Sequence, residues 1–280
     1  MKTISEIIGE AALILKAGEI VEPRREAVSL LAFALQKDKI FLIAHSDYKL
    51  SEAEEKYFSE IINRRAKREP FQHITGKQEF YGLDFIVTPD VLIPRPETEM
   101  IVENALEILQ ENSKFCEVGV GSGCISISIL YQNKTVLATG FDISEKALAI
   151  AKKNAGIHQV LERLKLEKSD VFSNLNDEKF DLIISNPPYI PSEDIAGLQL
   201  EVRDFEPLNA LTDGKNGLSI IEEIIIESPR FLKSHGSLLM EIGIHQADDV
   251  KKMFDENIWQ EIIILPDLQG IPRMVKASIF

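Results

Sequence analysis

Cysteine is scarce in this chain: Cys116 and Cys124 are the only two among 280 residues. A pair flanking a glycine run supplies neither a disulfide framework nor the four ligands of a structural zinc site, so both read as reduced thiols and no bound metal is expected. Long apolar runs are missing too. No stretch approaches the roughly 18 uninterrupted apolar residues of a membrane-spanning helix, which excludes a helical membrane protein. The segment Met1 to Ala12 threads Glu6 and Glu10 through its apolar pattern and lacks a basic start followed by an apolar block. No signal peptide is expected, and the cytoplasm is the expected location. There the glycosylation sequon Asn133 to Thr135 has no use and is set aside. Positive charge is also in deficit: 31 Lys and Arg face 45 Asp and Glu, for a net charge of −14 and a pI near 4.9. That balance lacks the basic footprint of a duplex DNA binder and gives weight to a protein or small-molecule substrate, leaving only a local basic patch as a route to nucleic acid. Internal repeats and low-complexity segments are absent.

What is present is an ordinary globular composition at a length that suits two domains, one larger than the other. The first part reads as helices. Thr3 with Glu6 makes a capping-box pattern, after which Ile4, Ile7, Ile8, Ala11, Ala12 and Leu15 fall on one helical face. Pro23 suits the first turn of a second helix carrying Ala27, Leu30, Leu31 and Ala34 inward. A short apolar segment follows from Ile40 to Ala44. Ser51 with Glu54 opens another helix, whose Tyr57, Phe58, Ile61 and Ile62 are expected to pack on its neighbours and which the basic run Arg64, Arg65, Lys67, Arg68 closes. From Phe80 to Val87 the period shortens around Gly82, which predicts a hairpin and a domain boundary. The expected division is a helical domain over 1–75, a hairpin linker over 76–96 and a larger domain over 97–280.

In the larger part, prolines hold Ile93 to Pro96 extended and Glu97 to Leu109 reads as a helix. Segments from Phe115 to Val118, Val136 to Phe141, Leu164 to Lys168 and Phe180 to Ile184 then alternate with the helical stretches Ile125 to Leu130 and Glu145 to Asn154. That is the pattern of an α/β fold with a parallel sheet covered on both faces. A helix from Leu218 to Leu232, a strand from Ser237 to Ile242, and a final pair around Glu261 to Leu265 and Met274 to Phe280 are expected to complete it.

The residues with chemistry lie at strand ends. Glu117, Gly119, Gly121, Ser122 and Gly123 follow an apolar strand and precede a helix, where ligands approach an open parallel sheet. A dinucleotide fingerprint wants a third glycine or alanine where Cys124 stands, so this spacing departs from it and argues against a nicotinamide-dependent oxidoreductase. Asp142 ends the next strand nineteen residues after Gly123, where a carboxylate can accept from both hydroxyls of a ribose. Each feature alone has a bland explanation, a tight turn or a loop carboxylate; together they indicate a bound nucleoside. Asp170, after the following strand, is within expected reach of an adenine amino group. The tetrapeptide Asn186, Pro187, Pro188, Tyr189 closes another strand and, at residue frequencies of a few per cent, arises by chance about once in a thousand such chains.

These residue types suit methylation of a planar nitrogen. An amide nitrogen is a poor nucleophile with two N–H groups, and accepting both fixes it in place. The Asn186 side-chain oxygen can take one and the Pro187 carbonyl the other, while Tyr189 can stack on the amide plane and attract a sulfonium charge. Catalysis would be orientation plus electrostatics. A nucleoside site beside such a motif fits S-adenosylmethionine as methyl donor, with S-adenosylhomocysteine as product.

Several separated blocks then resemble the HemK family, the peptide chain release factor glutamine methyltransferases. Besides the glycine loop and Asn186 to Tyr189, they are Gln72, His73, Thr75, Gly76; Ile93 to Glu99; Glu206, Pro207, Ala210, Leu211; Glu241, Ile242, Gly243, Gln246; and Asp267, Leu268, Gly270, Arg273. The resemblance spans almost the whole chain. It implies a seven-stranded Rossmann-like class I methyltransferase sheet behind a small helical domain, and as substrate the glutamine of the Gly-Gly-Gln motif in class-1 release factors. It also implies that Asn186 and Pro187 hold the target amide, with Pro188 and Tyr189 beside them. Val120 stands where the family's loop often has threonine, and His235 where a second glycine is common; both are peripheral to this chemistry. The rivals are a sibling activity on a ribosomal protein glutamine, an adenine-N6 DNA methyltransferase, and an assembly factor that binds S-adenosylmethionine without turnover. A monomer without membrane or duplex DNA contacts is expected, with the helical domain selecting the protein substrate.

Overall fold

Helix starts in the N-terminal part are written into local sequence. Thr3 Oγ1 accepts from the Glu6 N–H while the Glu6 carboxylate accepts from the Thr3 N–H, and Ser51 and Glu54 repeat the arrangement. Each such cap is worth about 1 kcal/mol. In the computed structural model, which describes Met1 to Phe280 throughout, they open the first and fourth of five helices. These are α1 (Ile4–Ala17), α2 (Pro23–Leu35), α3 (Lys39–Ala44), α4 (Glu52–Ala66) and α5 (Phe71–Thr75). The apolar segment after Lys39 is thus helical, because the Asp38 side chain accepts from the Phe41 N–H. Ile4, Ile7, Ile8, Ala11 and Leu15 meet Ala27, Leu30, Leu31, Phe58, Ile61 and Ile62 in one core. Two expectations are corrected. Tyr57 is exposed, because the inward stripe of α4 runs through Phe58, Ile61, Ile62 and Arg65, and Tyr57 lies off it. Ala12 is only half-buried, whereas Ala34, also half-buried, packs against the core as expected.

A tight hairpin follows, β1 (Lys77–Phe80) and β2 (Leu83–Ile86), turning through Tyr81 and Gly82 at φ of 52° and 75°. Two positive φ values in succession suit the right-handed twist of the strands, and the glycine makes the second one cheap.

The remaining strands are β3 (Lys114–Val118), β4 (Leu137–Asp142), β5 (Leu164–Lys168), β6 (Phe180–Ser185), β7 (Leu232–Glu241), β8 (Trp259–Pro266) and β9 (Pro272–Ile279). They form one seven-stranded sheet in the order β5-β4-β3-β6-β7-β9-β8, parallel except for the antiparallel partners of β9. Both faces are buried. Phe115, Leu182, Ile184, Leu239 and Met274 point into a core with α6 (Glu99–Ile108) and α7 (Cys124–Gln132). Their alternates Cys116, Ile183, Leu238, Met240 and Val275 point into the other. The period of two along each strand therefore fills two cores, which is why these strands read as unbroken apolar runs. After β4 comes α8 (Glu145–Ile157); after β6 come α9 (Leu200–Arg203), α10 (Ser219–Glu227) and, past β7, α11 (Ala247–Lys252). The helix expected to reach Leu232 stops earlier because Pro229 has no N–H to continue it; a 3-10 turn over Ser228–Arg230 intervenes and β7 begins at Leu232.

The chain divides into two units: Met1–Lys77 with Gln199–Phe205, and Gln78–Leu198 with Glu206–Phe280. The first therefore includes α9, a segment distant in sequence. Glu201 accepts from Arg65 at 3.0 and 3.1 Å and from Arg68 at 2.7 Å, while Arg65, 6% exposed, also holds Glu26. Part of the basic run that closes α4 is thus buried and paired. No helix is long and apolar enough to cross a membrane.

Candidate active site

Chain order steps outward from β3 to β4 and β5, then returns to the other side of β3 for β6, so the carboxyl ends of β3, β4 and β6 border the point where the strand order reverses. Ligands of open α/β sheets bind there, and a cavity of about 290 Å³ opens there in the second unit.

The loop from β3 to α7 forms its floor. Gly119, Gly121 and Gly123 have φ of 77°, 54° and 83°, a region costly for residues with a Cβ. The N–H groups of Gly119 and Val120 both reach the Phe141 carbonyl, at 2.9 and 2.8 Å. A side chain on Gly121 would meet no protein atom within 4 Å, and one on Gly119 would meet only the Asn186 carbonyl at 4.0 Å. Both lie on the cavity wall, where the missing side chains leave room for a ligand to approach the backbone. Gly123 differs. It does not line the cavity, and a Cβ there would strike Ile127 at 2.7 Å and Ala151 at 3.3 Å. Its missing side chain makes room for Ile127 and Ala151, so it shapes the loop from behind the wall.

Asp142 closes β4 with both oxygens engaged: Oδ2 accepts from the Gly121 N–H and Oδ1 from the Ser144 N–H, each at 2.9 Å. Each oxygen keeps a lone pair for a further donor, and burial pushes the carboxyl above its ordinary range. Glu117, 1% exposed, also lines the cavity; it accepts from the Ser126 N–H at 2.9 Å and from the Ser126 hydroxyl, and burial pushes its pKa up to about 8. Asp170 stands exposed at the rim. The walls thus carry five carboxyl groups, Asp90, Glu117, Asp142, Asp170 and Asp213, of which Glu117 keeps its proton at neutral pH, against the single guanidinium of Arg95, a field that suits a cationic ligand. No group of three or more His, Cys, Asp or Glu has the geometry to hold a metal ion.

The tetrapeptide enters from the end of β6, where the Ser185 hydroxyl holds the Val118 carbonyl at 2.8 Å. Asn186 and Pro188 line the cavity; Pro187 is buried and Tyr189 lies behind the wall. Tyr189 therefore differs from the expected stacking platform. Its hydroxyl donates to Glu241 Oε1 at 3.0 Å, and burial together with that carboxylate drives its pKa far above the ordinary tyrosine value. Gln246 Nε2 donates to its carbonyl at 2.9 Å.

Blocks that are separate in sequence meet around this motif. Thr98 lines the cavity, accepts from Asn186 Nδ2 at 3.1 Å and donates to Glu241 Oε2 at 2.7 Å. Burial raises the pKa of Glu241, with the Thr98 and Tyr189 hydroxyls and the charge of Arg273 pulling it back. Glu206 accepts from the Ile93 N–H at 3.1 Å and from Arg95 at 2.5 Å, tying down the proline-held segment. Asp267 is structural: it accepts from the N–H groups of Gln269 and Ile271 and pairs with Arg273, shaping the turn from β8 to β9. Thr98, Glu241 and Gln246 carried no role in the sequence reading; a buried acid at a strand end was the available signal for Glu241.

Comparison with known proteins gives matches of three kinds. A family described as PrmC N-terminal domain matches residues 6–76, and one described as methyltransferase small domain matches residues 97–198. A release factor glutamine methyltransferase from Geobacter sulfurreducens is 40% identical over 277 residues, covering 99% of this chain and 97% of the relative. Another, from Nitratidesulfovibrio vulgaris, is 39% identical over 279 residues, covering 98% and 95%. Among solved structures, a methyltransferase from Pyrococcus furiosus shares the fold with a TM-score of 0.53 at 17% identity, over 71% of this chain and 90% of that one.

Proposed function

The chain belongs to the family of release factor glutamine methyltransferases, and on that premise we propose that it methylates the side-chain amide nitrogen of the glutamine in the Gly-Gly-Gln motif of class-1 release factors. S-adenosylmethionine, when bound, supplies an activated methyl group on a cationic sulfur. The donor set fits it: paired acceptor oxygens on Asp142 for a ribose, open backbone at Gly119 and Gly121, and an acidic wall for the sulfonium. Asp170 completes that wall, and Glu117 lines it as a neutral acid.

The observation that carries the reading is the Asn186 amide, held by its nitrogen on Thr98 so that its oxygen is left for the substrate beside the glycine loop. Asn186 Oδ1 accepts one N–H of the target amide and the Pro187 carbonyl accepts the other. Two acceptors fix the plane of the amide and its approach, while Pro188 forms part of the wall around it. The two glycines before the target carry no side chains, which lets a narrow loop enter. Tyr189 acts from behind, through Glu241. Proton loss from the nitrogen comes late, after charge has developed on it.

In this reading the second unit, hairpin included, performs the chemistry and the helical unit, Met1–Lys77 with Gln199–Phe205, selects the protein. An enzyme reading only an amide would modify many surfaces, so specificity needs a wider contact. The enzyme acts as a monomer and meets its substrate in the cytoplasm, where translation terminates. The net charge of −14 weighs against duplex DNA.

The test incubates the protein with labelled S-adenosylmethionine and, separately, a class-1 release factor, a ribosomal protein and duplex DNA, and maps the label by mass spectrometry. Label on the Gly-Gly-Gln glutamine, lost in Asn186→Ala by roughly 10²-fold while cofactor affinity persists, is the expected result. Label confined to another substrate refutes the assignment.

A further inference from the structure

Asn186 can clamp a substrate amide only if its oxygen, and not its NH2, faces the cavity. An asparagine side chain is nearly symmetric in shape, so something must choose between its two orientations. The choice can be read from the hydrogen bonds behind it. Thr98 Oγ1 sits 3.1 Å from Asn186 Nδ2 and 2.7 Å from Glu241 Oε2. A hydroxyl has one proton. When that proton goes to the Glu241 carboxylate, only lone pairs are left to face Asn186, and the asparagine must answer with N–H. Its oxygen then points the other way. If Thr98 instead donated to Asn186, the NH2 would meet the NH2 of the target glutamine, donor against donor.

We infer that Thr98 and Glu241 are positioning residues that set which end of the Asn186 amide faces the substrate. The inference rests on the reading of Asn186 as the amide clamp. The supporting groups are built for it. Thr98 and Glu241 are 2% and 3% exposed, so the bond between them is shielded from bulk water. Glu241 accepts from two hydroxyls, Thr98 on one oxygen and Tyr189 on the other at 3.0 Å, which holds the carboxylate plane against rotation. Tyr189 is in turn fixed at its carbonyl by Gln246, whose Nε2 also reaches the Gly217 carbonyl at 3.3 Å and whose Oε1 accepts from the Gly243 N–H at 2.7 Å. Glu241, Gly243 and Gln246 thus act together on one tyrosine, and through Glu241 and Thr98 on one asparagine. Glu241 does not line the cavity, so its effect on turnover must pass through these neighbours.

The experiment compares Thr98→Val, Thr98→Ser, Glu241→Gln and Asn186→Ala with the parent full-length protein. It measures S-adenosylhomocysteine affinity by calorimetry, thermal unfolding, and single-turnover methylation of an intact release factor. Valine keeps the shape of threonine without the hydroxyl; serine keeps the hydroxyl. Thr98→Val and Glu241→Gln should each lower the single-turnover rate by about 10- to 100-fold with ligand affinity within about 3-fold, the scale of a misplaced reacting group. Thr98→Ser should return to within a few-fold of the parent. If Asn186→Ala is inactive while Thr98→Val and Glu241→Gln turn over at the parent rate, the relay is wrong and the clamp stands. If Asn186→Ala is itself active, the clamp is wrong and the relay falls with it. A Thr98→Ser variant as slow as valine, or affinity lost in step with rate, would show that Thr98 fills space and nothing more. Should Glu241→Gln fail to fold, the valine and serine pair decides the matter alone.

Discussion

Removing the Asp142 carboxylate tests the cofactor site most directly, because the structure gives it two separable tasks. Each oxygen already accepts a backbone N–H, from Gly121 and Ser144, both at 2.9 Å. Each has a lone pair left for a ribose hydroxyl. A hydrogen bond to a charged acceptor contributes about 1.5–3 kcal/mol, and the low end of two such bonds is about 3 kcal/mol, or roughly 150-fold in Kd. Asp142→Ala loses both and frees the Gly121 N–H, so that figure is a floor. Asp142→Asn keeps the size but must turn an NH2 toward one of two N–H donors, which predicts a loss of about 10-fold. The assay is calorimetry with S-adenosylmethionine and with S-adenosylhomocysteine. A ribose clamp weakens both ligands equally, since both carry the ribose; an effect exerted on the sulfonium charge would weaken the first far more than the second. Alanine variant affinities within about 3-fold of the parent, at unchanged thermal stability, would refute the clamp. Acidification should mimic the substitution, because protonating Asp142 removes acceptors, and burial places that loss above the ordinary aspartate range.

Three further outcomes follow from other sites. Glu117 has its pKa raised from 4.5 to about 8 in the folded protein, so between those values the folded state holds a proton that the unfolded chain has released. Its contribution to stability therefore falls as pH rises toward 8, by at most about 1.4 kcal/mol per pH unit; Glu117→Gln should flatten the dependence of melting temperature on pH, and parallel curves would exclude the shift. Gly217 has φ +77°, and a Cβ would lie 2.1 Å from the Tyr189 carbonyl oxygen. Gly217→Ala should cost about 2–4 kcal/mol by left-handed strain and overpacking and cut methyl transfer further by moving Tyr189, so an unchanged urea midpoint would contradict this geometry. Glu201→Ala leaves Arg65 buried with Glu26 as its remaining carboxylate and should destabilise the helical unit by about 2–3 kcal/mol, read as a lower denaturation midpoint; no change would show that Glu26 suffices.

What could be read from the sequence was mostly what is local. The capping boxes at Thr3 and Ser51 depend on partners three residues away, and the core stripes of α1, α2 and α4 on a period of 3.6. The α/β alternation was equally legible, because both sheet faces are buried and each strand announces itself as an apolar run. Strand limits were not. Nothing in Leu232 to Gly236 alternates, and β7 extends through it only because β6 offers Phe180 as a partner for Leu232. Nor could α9 be assigned to the helical unit: Glu201 is one glutamate among many until it is seen accepting from Arg65, 136 residues away.

The site divides along the same line, and Tyr189 shows why. A tyrosine after Asn-Pro-Pro has an obvious use as a stacking platform if only its neighbours in the chain are considered. Its actual hydroxyl partner is 52 residues away, and that partner's other ligand, Thr98, is 143 residues from it. Asp142 and the glycine loop were legible because a β-α-β unit fixes their separation in sequence, whereas no such unit links Thr98, Asn186 and Glu241; they come together only when β6 and β7 lie side by side. The distinction matters for the chemistry. A reaction accelerated chiefly by orientation depends on whatever prevents the orienting group from turning, and for Asn186 that is a hydroxyl, a buried carboxylate and a tyrosine set back from the substrate. Arg95 and Ile93 are held in the same manner by Glu206. Blocks such as Glu241 to Gln246 and Glu206, Pro207 therefore bear on the site through what they hydrogen-bond, and a reading that looks only for reactive side chains facing a cavity passes over them.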